Sequence, residues 1–284
     1  MEKDSSELVL AGELDAYPGD PSLDVCPTRA IVWDQKAEAA AITDDCIGCG
    51  LCVSRCPYGA IHLDGGDAAQ VETSDPEQLI ERGRTECAHP MPTRTGILAN
   101  LDAPAIAQLP TRVSSLQDAR AALLVRNLLQ EVGVNTRVRR RGDTNMRVDA
   151  VGQSRSSRPF VAEIELSAAV LESPRALLED VAVLHSRYGF AVRDIDPVSV
   201  VLSLPNTRSD YYRVIRDIDR VLNVRCRTIT LGALMALLWT GTRLNGFQND
   251  AFAVGDSGID LEVGLGIPRT LLREPYPGAF RPAG

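Results

Sequence analysis

The sequence predicts a chain in two parts, a small α+β unit followed by an α/β domain. Three observations predict it. Five of the seven cysteines fall between residues 26 and 56 at short, regular spacing. Between residues 114 and 232 apolar positions recur first at helical and then at strand period, in the order α-β-β-β-α-β. Between them, Pro76, Pro90, Pro92, Pro104 and Pro110 interrupt a stretch of weak periodicity.

The first unit is defined by Cys46-Ile47-Gly48-Cys49-Gly50-Leu51-Cys52-Val53-Ser54-Arg55-Cys56-Pro57. This is C-x2-C-x2-C-x3-C-P, the spacing with which a short loop wraps one face of a [4Fe–4S] cluster. Thiolates are soft ligands suited to such a group. Cys46, Cys49 and Cys52 stand too close together to pair comfortably as disulfides. A second copy of the ending, Cys26-Pro27-Thr28-Arg29-Ala30-Ile31, matches Cys56-Pro57-Tyr58-Gly59-Ala60-Ile61.

The two copies resemble the halves of a bacterial dicluster ferredoxin, over about residues 20–72. The resemblance implies a ferredoxin-like unit of β-hairpin and helix, repeated about a pseudo-twofold axis. In that family each Cys-Pro cysteine ligates the cluster of the other half. The first half here carries Ala16, Gly19 and Ser22 where the other three cysteines would stand. One [4Fe–4S] cluster is therefore expected, on Cys46, Cys49, Cys52 and, from afar, Cys26. The alternative takes Cys56, within the local motif, as the fourth ligand.

Composition sets the frame. The 284 residues are 44% hydrophobic and 24% charged, ordinary for a soluble protein with room for two domains. No apolar run reaches membrane length, and the start, Met-Glu-Lys-Asp-Ser-Ser-Glu, is acidic, unlike a signal peptide. The expectation is a cytoplasmic protein without membrane contact. Lys3 and Lys36 are the only lysines, so the other 28 cations are arginines. Residues 1–67 hold 13 acidic and four basic side chains; residues 112–158 hold ten arginines against four acids. Such a basic stretch in an acidic chain invites a polyanion partner, or is a solvated edge strand. Cys226 reads as a core residue and Cys87 as a linker residue.

The expected domains are residues 1–72, a linker over 73–112, an α/β domain over 113–240, and a Gly/Pro-rich arm over 241–284 wrapping a neighbour. Ser114-Ser115-Leu116-Gln117-Asp118 offers a helix start. Leu116, Leu123, Leu124, Leu128 and Val132 continue it to Gly133. Strands are expected over 134–140, 146–151 and 160–166, then a helix over 174–188 and a buried strand over 198–204. A helix over 210–222, a strand over 225–229 and an apolar helix over 231–239 complete the pattern.

This order resembles the restriction-endonuclease-like PD-(D/E)xK fold, with its αβββαβ core. The resemblance implies one acid on the second strand, Asp149, and a (D/E)-x-K triplet on the third, here Glu163-Ile164-Glu165. Residues two apart on a strand share a face, so Glu163 and Glu165 are expected to project together. With Asp149 they would hold Mg²⁺, which activates water and neutralises phosphate. Glu165 replaces the usual lysine. Glu131 resembles the further acidic ligand of some members. His62, His89 and His185 form no catalytic arrangement, and no phosphate-binding glycine loop occurs.

Two functions follow as expectations. The first is a metal-dependent nuclease acting on nucleic acid, with Arg137, Arg139, Arg140 and Arg141, joined by Arg155 and Arg158, on the phosphates. The second is an electron-transfer protein, with a redox partner protein and a C-terminal domain that serves as a non-catalytic adaptor.

Overall fold

A computed structural model describes residues 25–37, 39–55, 61–63, 69–71, 109–139, 147–167, 170–255, 257–271 and 275–283. Two short antiparallel hairpins and one helical turn make up the N-terminal head. β1 (Ile31–Asp34) pairs with β2 (Ala39–Ile42), and Asp34 Oδ1 accepts from the Lys36 and Ala37 amides to close the turn. Helix α1 (Leu51–Arg55) grows directly out of the cysteine loop. β3 (Ile61–Leu63) pairs with β4 (Ala69–Val71), which lies against β2.

Next come α2 (Leu109–Ser114) and α3 (Asp118–Glu131). Leu124, Leu128 and Val132 are buried, as their spacing predicts. The helix expected after the cap at Ser114–Asp118 is α3, whose N-cap is Gln117; α2 is a separate short helix before it.

Among the described residues the second part is built on one five-stranded sheet in sequence order. β5 (Asn135–Val138), β6 (Ala150–Gln153) and β7 (Pro159–Glu165) form an antiparallel meander. β8 (Asp196–Val201) and β9 (Arg227–Thr230) extend it in parallel. A parallel neighbour needs a crossover, supplied by α4 (Ser173–Tyr188) and α5 (Tyr211–Leu222). The expected order α-β-β-β-α-β is present, and α4 ends at Gly189 with φ 76°. All six residues of β8 are buried, as a strand covered on both faces requires.

α6 (Leu231–Thr240) is apolar on every side, and Leu231–Trp239 are all buried. A helix of this kind belongs in an interior. It is capped by Thr230, whose Oγ1 accepts from the Ala233 amide at 3.1 Å. The Gly/Pro-rich stretch after it, which includes α7 (Leu261–Leu265), folds onto this same domain. Phe247 packs against Phe160 with tilted rings 5.3 Å apart, and the Tyr276 hydroxyl donates to Leu202 O and accepts from Gly232 N. No described helix is long and apolar enough to cross a membrane.

Head and sheet domain share one hydrophobic core, which runs from Val25, Leu51 and Val53 to Leu128 and Leu237. Asn127, fully buried on α3, donates to Val25 O at 3.0 Å. Glu131 accepts from Ser54 Oγ at 2.8 Å and pairs with Arg55 at 3.1 Å. Glu131 thus serves the junction with α1, not the carboxylate group that the resemblance suggested.

Candidate functional site

The cysteine loop is wound by its glycines. Gly48 and Gly50 have φ of 67° and 81°, a region costly for residues with a Cβ. Placing them between Cys46, Cys49 and Cys52 turns three side chains toward one point. Cys26 joins them from the chain before β1. These four cysteines line one small pocket, walled by Ile31, Ile42, Ile47 and Leu51. The structure therefore brings together the four cysteines expected from the degenerate repeat. Cys56 lies outside the described residues.

The pocket is largely closed to water. Cys49 and Cys52 are 8% exposed. Burial, and secondarily the neighbouring sulfurs, push the Cys52 thiol up to about 12 and Cys49 well above its ordinary value. Four thiolates in an apolar pocket require positive charge among them, which iron supplies. Backbone amides already point at sulfur: Ala30 N donates to Cys26 Sγ at 3.3 Å, and Gly48 N and Ala69 N to Cys46 Sγ at 3.5 and 3.4 Å. Among the described residues no three His, Cys, Asp or Glu side chains converge as a single metal ion requires.

The sheet domain grips the loop from behind. Trp239 Nε1, at the end of α6, donates to Cys49 O at 3.0 Å, and Arg112 donates to Cys46 O at 3.0 Å. Two of the sulfur-bearing residues thus have their carbonyls fixed by side chains 190 and 66 positions away.

A second group of titratable residues lies on the sheet. β6 begins at Ala150, so Asp149 sits just before the strand, not within it. The β6–β7 register runs Ala150↔Ala162, which places Asp149 opposite Glu163. Asp149 Oδ2 accepts from Ile164 N at 3.2 Å, and Oδ1 lies 3.7 Å from Arg139. From α4, Asp180, 3% exposed, meets Glu163, and its Oδ2 has no hydrogen-bond partner. Burial raises Glu163 to about 9, with Asp149 and Asp180 adding to the rise; burial also raises Asp180 to about 6. Burial and the two neighbouring carboxylates thus favour the protonated form of Glu163. Glu165 Oε1 accepts from Ser167 N at 2.9 Å.

Sequence reasoning missed Asp180. Its signal is its position on α4, an acid on the same stripe as the buried Leu177, Val181 and Leu184. Of the expected phosphate-binding arginines, Arg139 pairs with Asp149. Arg158 pairs with Asp194 and Asp196 and donates to Arg193 O. Arg137, half-buried on β5, also has a partner. Arg140 and Arg141 lie outside the described residues.

Residues 16–65 match the LdpA Fe-S cluster-binding domain. The chain is also 32% identical over 85 residues to the arsenate respiratory reductase iron–sulfur subunit ArrB of Shewanella sp. (strain ANA-3). That alignment covers 26% of this chain and 36% of the relative, so the chain spans about a third of that protein's length. No solved structure matches the chain. The chain thus carries an Fe–S cluster-binding domain at its N-terminus.

Proposed function

We propose that the chain is a ferredoxin-type electron-transfer protein. Cys26, Cys46, Cys49 and Cys52 would hold one [4Fe–4S] cluster, and the sheet domain would act as a non-catalytic adaptor for a redox partner. The convergence of these four cysteines on one apolar pocket carries the reading. The match to an iron–sulfur subunit of a reductase supports a redox partner. A bound cluster supplies a one-electron couple. The chain's own contribution is to exclude water with Ile31, Ile42, Ile47 and Leu51 and to orient amide dipoles at sulfur. Such N–H···S contacts stabilise the more negative, reduced state. Cys26 completes the set in preference to Cys56.

The test is anaerobic purification, reduction with dithionite and electron paramagnetic resonance. A single S = 1/2 signal, with transfer of one electron per chain to an acceptor protein, is the expected result. A cluster that cannot be reduced across the range of known potentials, roughly −700 to +450 mV, would make the centre structural.

A second reading rests on the carboxylates. Half-buried Asp149 and Glu163 and buried Asp180 lie near one another on an α-β-β-β-α-β core, where a Mg²⁺-dependent phosphodiesterase of the restriction-endonuclease-like type would draw its ligands, although among the described residues no three acids converge as one metal ion requires. Against it stand the absence of any lysine after Lys36 and the commitment of Arg139 to Asp149. Mg²⁺- or Mn²⁺-dependent cleavage of DNA or RNA, abolished by Asp149→Ala, would establish it.

A further inference from the structure

Beside the cysteine pocket lies a cleft of about 540 Å³, within the size range of small-molecule sites. The two cavities share Pro27, Thr28 and Ile47 as a common wall. Three arginines line the cleft, Arg29, Arg112 and Arg120, from three separate segments of the chain. Arg112 and Arg120 are half-buried; Arg29 is exposed, as are Asp44 and Asp45, which line the same cleft. Among the described residues neither Arg29 nor Arg120 has an ion-pair partner, and Asp44 and Asp45 pair with none of the three. Arg112 uses one nitrogen on Cys46 O.

We propose that this cleft binds a small oxyanion of the phosphate or carboxylate class on Arg29, Arg112 and Arg120. A half-buried guanidinium without a counterion has lost hydration without gaining a partner. Phosphate and carboxylate match its planar fork in two parallel hydrogen bonds. Arg29 is held in position by its backbone: φ is 59°, and its amide donates to Cys26 O at 3.2 Å. The site is thus tied to the cysteine pocket at Cys26 through Arg29 and at Cys46 through Arg112.

A consequence rests on the cluster reading of the preceding section. An anion on Arg112 places negative charge beside the cluster and disfavours its reduction. By reciprocity the oxidised protein binds the anion more tightly than the reduced one. A tenfold difference in affinity corresponds to a fall in potential of 59 mV for one electron.

The test is calorimetric titration of the anaerobically purified full chain with sodium pyrophosphate and, separately, sodium citrate, at ionic strength held constant with NaCl. The proposal expects saturable one-site binding of at least one of the two, with the better anion identifying the class. Arg120→Gln is expected to weaken it at least tenfold with cluster absorbance unchanged. Arg175→Gln, at an exposed position of α4 outside the cleft lining, is expected to leave it as in wild type. No saturable heat with either anion, or equal affinity in wild type and Arg120→Gln, overturns the proposal. Binding that persists in protein lacking iron upholds the anion site while removing only its link to the cluster.

Discussion

At the scale of single residues, the centre depends on groups far from it in sequence. Trp239 is 2% exposed, and its indole nitrogen satisfies the carbonyl of Cys49. Trp239→Phe keeps most of the apolar volume and leaves that carbonyl unpaired. The expected loss is about 1–3 kcal/mol of stability, with faster bleaching of the cluster by a chelator; thermal unfolding and absorbance decay measure the two. Glu163 gives a pH signature. Its proton is bound from an ordinary value of 4.5 up to about 9, so the folded chain holds a proton that the unfolded chain has released. Stability from this group is present below the unfolded value and is lost as pH rises toward 9. Glu163→Gln removes that dependence. The variant should gain at least about 1 kcal/mol over wild type at pH 8 and nothing at pH 4. A wild-type stability that does not fall between pH 5 and 9 relative to the variant would contradict the assignment. At this scale the cysteine loop was legible because Cys46, Cys49 and Cys52 are local, with Gly48 and Gly50 between them to bend the chain. Asp180 was not legible as a partner of Glu163, because only the packing of α4 on β7 brings them together.

At the scale of elements, α3 joins the two parts. Its middle packs in the shared core, Asn127 holds the backbone at Val25, and Glu131 at its last turn takes Ser54 and Arg55. The Glu131 side chain is 8% exposed and that of Arg55 35%, so the pair is partly shielded from water. A double-mutant cycle of Arg55→Gln and Glu131→Gln is expected to show a coupling of about 0.5–3 kcal/mol in denaturant unfolding. A coupling near zero would mean that the head is held by apolar contact alone. The periodicity of α3, α4 and α5 was readable because each buries one stripe. Among the described residues β6 starts at Ala150, later than the expected Arg147–Asp149, since alternation of Val148 and Ala150 around a charged residue resembles a strand until hydrogen bonds decide. Glu131 resembled a further metal ligand because charge at a helix end carries no information about which neighbour will meet it.

At the scale of the whole molecule, the proline-rich stretch suggested a tethered head, yet Val25, Leu51 and Val53 belong to the same core as Leu128 and Leu237. The head is a docked part whose loop carbonyls rest on the sheet domain. Removal of the cluster should therefore loosen both. Hydrogen exchange after chelation is expected to rise in α1 and also in α3 and the end of α6, and unchanged protection in α3 and α6 would show two independent parts. The central claim is that Cys26, and not Cys56, completes the centre. Iron and sulfide analysis of anaerobically purified wild type, Cys26→Ser and Cys56→Ser tests it most directly. The account predicts about four iron and four sulfide per chain in wild type and Cys56→Ser. It predicts a three-iron or labile species in Cys26→Ser. An intact cluster in Cys26→Ser together with its loss in Cys56→Ser would contradict it.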